Sequence, residues 1–144
     1  TLSSPSMVTN EKRDPMFTAA AMVGLRHHYL GPEEMFSPDA SSLFADFAGL
    51  PPLLFQSSES EMLRDDSLRA AARAHAAGVT VEVELWDKVP HVFQGFQALT
   101  HGTAALENIA AFVTRHAQWE QVPAASTNPA PVAAAPDATL TRQD

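Results

Sequence analysis

The stretch PPLLFQSSESEMLRDDSLRAAARAHAAGVTVEVELW, residues 51–86, contains two strand patterns with a helix pattern between them. Its opening part, PPLLFQSS, is a short apolar run that begins with two prolines. Such a run predicts a strand at residues 53–57 that is buried on both faces, as in a parallel sheet. A strand of this kind needs a neighbour, and the chain supplies a second one within thirty residues.

The next part, RDDSLRAAARAHAAG, predicts a helix that Asp65 or Asp66 can cap and that Gly78 ends. Residues 79–86, VTVEVELW, then alternate apolar and polar side chains, which is the period of a strand with one solvated face. Two strands joined through a helix make a parallel crossover connection. The stretch thus predicts an α/β fold.

A further helix is predicted before this unit. Thr18 is suited to the N-cap, Met22, Leu25 and Tyr29 fall on one face, and Gly31 ends the pattern before a proline. We expect that apolar face to pack in the core against the sheet. The residues before Pro15 show no period and predict a loop.

A last helix is predicted at residues 102–116. Its packed face is predicted to hold four apolar residues at helical spacing: Leu106, Ile109, Ala110 and Val113. The order is then helix, strand, helix, strand, helix, within one domain portion at residues 1–116. Residues 117–144 are rich in Ala and Pro and have almost no large apolar side chain, so we predict a disordered tail.

Composition narrows the classes of function. The chain has 144 residues and a formal charge of -8, which argues against nucleic acid or an anionic membrane as its main partner. It has no cysteine, which excludes thiolate nucleophiles and cysteine-based zinc sites. The histidines make no metal-binding pattern, and we expect no metal. No apolar run reaches the roughly 20 residues of a membrane span, and we expect a cytoplasmic location.

Candidate reactive groups lie after both predicted strands. Because the carboxyl ends of parallel strands lie at one edge of a sheet, groups that come after the two strands can meet there. They are Glu59, Glu61, Asp65 and Asp66 after the first strand, and Asp87, Lys88 and His91 after the second. A carboxylate that fixes a histidine tautomer is the acid and base of a hydrolytic triad.

The serine of such a triad is not apparent. The order of acid before histidine matches the α/β-hydrolases, in which the serine comes first on a G-x-S-x-G turn. The six glycines, at positions 24, 31, 49, 78, 95 and 102, include no pair four residues apart and no adjacent pair. The 144 residues therefore offer an acid and a base without the nucleophile elbow or a glycine-rich oxyanion loop.

Several motifs in order carry a family resemblance. The run from AGLPPLLFQSS through SEMLRDD to LWDKVPHVFQGF, preceded by TLSSPS, KRDPMFT and ADFAGLPP, closely resembles the bacterial hormone-sensitive-lipase-like esterases of the α/β-hydrolase superfamily. The resemblance runs from Thr1 to about His116. It implies the carboxyl-terminal part of an α/β-hydrolase parallel sheet.

The resemblance also implies roles for single residues. PHVFQ makes His91 the catalytic histidine, and SEMLRDD aligns with the acid-bearing loop and puts the acid on Glu61, with Asp65 and then Glu59 as alternatives. Val92 and Phe93 line a substrate pocket or belong to the core. Two departures flank the pair, since the family usually has glycine where this chain has Ser58 and Lys88.

The activity that the resemblance implies is that of a serine carboxylester hydrolase acting on short or medium acyl esters, with no cofactor and no metal. In that reading this chain supplies the histidine and the acid, an amino-terminal half supplies the serine, and the isolated chain is inactive. The alternative is a non-catalytic hydrolase fragment that binds a complementing partner through its open sheet edge.

Overall fold

The computed structural model describes residues 2–30, 37–96 and 98–117. The predicted disordered tail, apart from Ala117, and the Gly31 stop of the first helix lie outside these residues. The helices and strands, in chain order, are α1 (Ser6–Thr9), α2 (Ala19–Tyr29), β1 (Leu53–Ser58), α3 (Arg64–Ala76), β2 (Val81–Trp86) and α4 (Thr100–His116). Two turns of 3-10 helix lie at Ser42–Phe44 and Phe93–Gly95. No helix in the described ranges is long and apolar enough to cross a membrane.

The two strands pair in parallel, as the sequence predicted. Their register runs from Leu53 opposite Val81 to Ser58 opposite Trp86. The pairing extends one residue beyond the strands, because the Glu59 amide donates to the Trp86 carbonyl at 2.9 Å. The carboxyl ends of β1 and β2 therefore lie side by side, which fixes where the loops after them begin.

One face of this sheet packs on α3. The cluster joins buried and half-buried side chains: Leu43, Phe47, Leu53, Phe55, Ala70, Ala74, Val79 and Val81. Alanines on α3 let the helix approach the strands closely. Towards the carboxyl end of the same face the cover is incomplete, since Val83 is 42% exposed and Leu85 is 41% exposed.

The sequence predicted that β1 is buried on both faces, but the structure buries most of the strand only partly. Its first four residues are half-buried, and only Ser57 and Ser58 are buried. The physical reason is that β1 pairs only with β2 among the described residues. The other edge of β1 has no neighbouring strand there to shield it.

The opposite face of the sheet packs on α4, through different residues from those predicted. The buried positions of α4 are Gly102, Ala105 and Phe112, whereas Leu106 and Val113 are exposed. A side chain at position 102 would place its Cβ 2.7 Å from the Phe96 carbonyl oxygen. Because only glycine fits there, the face of α4 with Gly102, Ala105 and Phe112 is turned inward, and Leu106 and Val113 lie outside it.

The first predicted helix is confirmed, but its packing was predicted wrongly. The Thr18 hydroxyl accepts a hydrogen bond from the Ala21 amide at 3.2 Å, as an N-cap should. No residue of α2 is buried, and Leu25 and Tyr29 are exposed. The helix therefore does not pack into the described core.

The segment before Pro15 is more ordered in structure than the predicted loop, because it includes α1 and a buried network. The backbone amide of Ser6 donates to Asp65 at 2.9 Å, and the Ser4 hydroxyl donates to Asp66. The predicted capping role of Asp65 and Asp66 was wrong, since the N-cap of α3 is Leu63 and no side chain caps it. The two carboxylates lie in the first turn of α3 and bind the amino-terminal segment instead.

Candidate active site

The central feature of the sheet edge is a contact between a histidine and a carboxylate. The Nδ1 atom of His91 lies 2.6 Å from Oε2 of Glu61. A carboxylate can only accept hydrogen bonds, so Nδ1 carries the proton and donates it. In the neutral imidazole, Nε2 then has a free lone pair, and no hydrogen bond to this atom is found within the described residues. This is the tautomer that a general base needs.

Glu61 is held by donors of its own strand end. It is 4% exposed, and its Oε1 accepts from the Ser58 amide at 2.9 Å and from the Ser57 hydroxyl. With His91 on Oε2, the carboxylate has three donors. A buried carboxylate requires such partners, because burying an unpaired charge is costly. The carboxylate is therefore fixed in orientation.

The strands explain why these residues meet. Glu61 lies three residues after the end of β1, and His91 lies five residues after the end of β2. The turn between β2 and His91 contains Lys88 with φ +54°, a left-handed conformation that favours glycine. Ser58 does not have positive φ, so its backbone needs no glycine. Of the two departures noted in the sequence, only Lys88 lies in a strained conformation.

Val92 and Phe93 come directly after the histidine but lie in different surroundings. Val92 has φ +50° and ψ +34°, is 56% exposed and lines a cleft beside His91. A β-branched residue in this conformation is a genuine outlier. Phe93 also lines this cleft, but it is 1% exposed and packs on Trp86 with ring centroids 5.3 Å apart, so most of its ring belongs to the core.

The cleft has a volume of about 530 Å³ and runs along one edge of β1. Glu61 and His91 line it at one end, with Phe55 to Ser58 of β1 along its length. No residue of β2 lines the cleft, so it lies on the side of β1 that is turned away from its partner strand. The candidate pair therefore faces the unpaired edge of the sheet.

The alternative acids are engaged elsewhere or exposed. Asp65 accepts from the Ser6 amide and pairs with Arg64 at 2.8 Å. The Glu59 side chain is exposed, and Asp87 pairs with Lys88 at 3.2 Å. Among the carboxylates that the structure describes, only Glu61 contacts His91.

The sequence did not indicate three further residues around the pair. Asn10 and Asp14 bond to the loop that carries Glu61, and the ring of Phe17 lies 5.2 Å from the ring of His91. The dipeptide of Asp14 and Pro15 is a turn signal in which an aspartate often bonds to a later amide. That signal predicts a turn but not a contact 48 residues away in the sequence.

No group of three or more metal-ligating side chains lies within the described part of the chain. His91 and Glu61 therefore have no third such side chain beside them in that part of the chain. The chemistry that this arrangement can perform is proton transfer at Nε2 of His91, with Glu61 stabilising the imidazolium that forms.

Comparison with known proteins gives consistent results. The sequence profile of a family described as "alpha/beta hydrolase fold" matches residues 1–95. An "Esterase" of Acinetobacter venetianus is 36% identical over 116 residues, covering 79% of this chain and 38% of that protein. An "Acetyl-hydrolase" of Streptomyces hygroscopicus is 32% identical over 109 residues, covering 75% of this chain and 36% of that protein. The chain thus spans less than two fifths of the length of either relative.

Solved structures agree with the sequence matches. The crystal structure of an esterase from the bacterial hormone-sensitive lipase family superposes with a TM-score of 0.76 at 38% identity, covering 80% of this chain and 39% of that one. An esterase/lipase from an uncultured bacterium superposes with a TM-score of 0.74 at 33% identity, covering 79% of this chain and 38% of that one.

Proposed function

We propose that this chain supplies the base and the acid of a serine carboxylester hydrolase. The premise is that the chain belongs to the α/β-hydrolase family and resembles its bacterial hormone-sensitive-lipase-like esterases. The observation that carries the proposal is the 2.6 Å contact between His91 Nδ1 and Glu61 Oε2. The nucleophilic serine and the oxyanion donors come from a part of the hydrolase other than these residues. We call the two parts together the complete hydrolase.

His91 moves the protons in the proposed reaction. Its Nε2 takes the hydroxyl proton of the serine as the serine oxygen bonds to the ester carbonyl carbon. It then donates that proton to the alcohol oxygen as the ester C–O bond breaks, which leaves an acyl-serine. A water molecule then attacks the acyl-serine. Nε2 takes a proton from this water and gives it to the serine oxygen as the carboxylic acid leaves. Glu61 keeps the imidazole in the reactive tautomer and stabilises its positive charge throughout.

The free edge of β1 is where the nucleophile-bearing part attaches in this proposal. The carboxyl end of β1 leads to Glu61, and both Glu61 and His91 line the cleft beside β1. A further parallel strand that pairs with β1 would fill part of the cleft and bring its own carboxyl end to the same edge of the sheet. In α/β sheets this is the edge at which ligands bind.

The substrates that we propose are short or medium acyl esters. The names of the two relatives, an esterase and an acetyl-hydrolase, support carboxylic esters, and the charge of -8 disfavours anionic ones. Val92 lines the cleft beside His91, so an apolar side chain lies next to the proposed base.

A panel of substrates tests this proposal on the complete hydrolase. Nitrophenyl esters of increasing acyl length are compared with nitrophenyl phosphate as the matched control substrate. We expect hydrolysis of the short and medium carboxylic esters and none of the phosphate ester. A complete hydrolase that leaves every carboxylic ester intact contradicts the proposal.

One observation favours a second candidate, a non-catalytic chain that binds a partner through its sheet. Among the described residues β1 pairs only with β2, and Val83 and Leu85 are partly exposed on one face. Two strands alone are marginal, so this function predicts that the chain associates with another sheet. Sedimentation of the isolated chain tests the association, and a monomer that unfolds cooperatively contradicts it.

A further inference from the structure

Hydrogen bonds from the amino-terminal segment, residues 4–17, hold the acid loop, residues 59–63. The loop connects β1 to α3. The Ser6 hydroxyl donates to the Met62 carbonyl at 2.7 Å, and the Asp65 amide donates to the Ser6 hydroxyl at 3.1 Å. These contacts join residues that are 56 and 59 positions apart. The segment is thus an external support of the loop that carries Glu61.

Asn10 holds the loop on both sides of the acid. Its side-chain amide donates to the carbonyl oxygens of Glu59 and Glu61, both at 2.9 Å, and the residue is 1% exposed. Both amide hydrogens are used on alternate residues of one loop. An alanine at position 10 would remove this donor from both carbonyls, and the Glu61 carbonyl would keep only the Arg64 amide, 3.4 Å away. Losing a buried hydrogen bond is unfavourable.

Asp14 connects the acid loop to the surroundings of the base. Its Oδ2 accepts from the Met62 amide at 2.8 Å, and its Oδ1 accepts from the amides of Met16 at 2.8 Å and Phe17 at 3.1 Å. The Phe17 ring in turn packs on His91. One buried carboxylate therefore holds the residue after the acid and the residue that contacts the base.

We propose that Asn10 and Asp14 are positioning residues that keep Glu61 and His91 in contact. The inference rests on the proposed function, in which that contact orients the base. Catalytic groups must be held within about 0.5 Å of the productive geometry. A side chain fixed only at its tip can shift with its backbone, and these two residues fix the backbone at Glu59, Glu61 and Met62.

The first test observes the contact directly, without catalysis. Histidines of the complete hydrolase are labelled with ¹⁵N, and the hydrogen-bonded Nδ1 proton of His91 is recorded by NMR. Comparison with His91→Ala separates this signal from those of the other five histidines of the chain and of the rest of the hydrolase. We expect the Nδ1 proton signal to be lost in Asn10→Ala and in Asp14→Asn, since an asparagine has only one acceptor oxygen for the two sets of amides. The signals of the other histidines should not change.

Met7→Ala is the matched control. Met7 is a buried apolar residue of α1, the helix that ends directly before Asn10, and it has no hydrogen bond to the acid loop among the described residues. We expect this variant to keep the Nδ1 proton signal. If Asn10→Ala and Asp14→Asn also keep it, the positioning role is wrong. If Met7→Ala loses it too, the segment acts through general packing and the proposal is equally overturned.

The second test is kinetic and uses the complete hydrolase. A displacement of about 1 Å in a catalytic group can cost about 100-fold in rate, so we expect Asn10→Ala and Asp14→Asn to lower kcat by roughly 10- to 100-fold with little change in KM. An unchanged kcat contradicts positioning while leaving the proposed function intact. The proposed function itself, by contrast, fails if His91→Ala retains full activity.

Discussion

His91 and Glu61 are thirty residues apart in the sequence, yet Nδ1 of His91 lies 2.6 Å from Oε2 of Glu61. Parallel pairing of β1 with β2 brings the two loops to one edge, and donors at Ser57 and Ser58 orient the carboxylate towards the imidazole. The acid of the proposed site thus lies in the loop after β1 and is oriented by the last two residues of that strand.

Glu61→Gln tests which carboxylate is the acid. The glutamine keeps the shape of the side chain but removes the charge that stabilises the imidazolium, and we expect kcat of the complete hydrolase to fall by about 10³- to 10⁴-fold. Glu59→Gln is the matched control, because the Glu59 side chain lies in the same loop and is exposed. Since exposed substitutions usually have small effects, we expect this variant to change kcat by less than about twofold. A larger loss in Asp65→Asn than in Glu61→Gln would assign the role to Asp65.

A substitution at Lys88 tests whether the turn before His91 is strained. Its φ of +54° is unfavourable for lysine, and its exposed side chain makes only an ion pair with the neighbouring Asp87. Asparagine adopts this conformation more readily, so we expect Lys88→Asn to raise the free energy of unfolding by about 0.5–1 kcal/mol.

Lys12→Asn is the control for that measurement, because Lys12 is exposed and does not have positive φ. Denaturant unfolding of both variants against the parent chain gives the comparison. Equal effects at positions 12 and 88 would show that the turn stores no strain.

Glu82 gives a prediction about pH. A hydrogen bond from Arg115 and a second from His116 lower the pKa of Glu82 below its ordinary value of 4.5. Because the pKa is lower in the folded chain, the contact stabilises the docking of α4 on β2 above pH 4.5, and this stabilisation is lost as the pH falls through the lowered pKa.

NMR titration of the Glu82 carboxyl group measures this directly. We expect Arg115→Gln to move the pKa of Glu82 back up towards 4.5, since it removes the larger of the two causes. The same Glu82 titration in both chains would show that Arg115 does not bind this carboxylate in solution.

We predict that the isolated chain has no esterase activity. Without a nucleophile elbow among its 144 residues, it should hydrolyse a short-chain nitrophenyl ester no faster than a sample carrying His91→Ala. A robust rate that His91→Ala abolishes would mean that these residues contain a nucleophile of their own.

Local patterns in the sequence predicted much of this fold. The apolar run of β1, the alternation of β2 and the Ala-rich helix between them are short-range signals, and the parallel pairing results from their order. The contact between Glu61 and His91 was expected from the edge rule and from the family motifs, and the structure brings these two side chains together. Their catalytic roles remain proposals.

Packing faces and long-range polar contacts were harder to predict. The apolar stripe of α4 that includes Leu106 faces outward because Gly102 must approach the Phe96 carbonyl, which periodicity does not register. Asn10 and Asp14 looked like residues of a polar loop, since their partners lie about 50 positions away. The expected cytoplasmic location and the disordered tail stay predictions.

The most direct measurement of the central claim compares His91→Ala with His75→Ala in the complete hydrolase, assayed with a short-chain nitrophenyl ester. His75 is an exposed histidine on α3, so its loss controls for the removal of an imidazole elsewhere. We predict that His91→Ala lowers kcat by at least about 10³-fold and that His75→Ala leaves kcat unchanged. Equal activity of the two variants would contradict the assignment of His91 as the base.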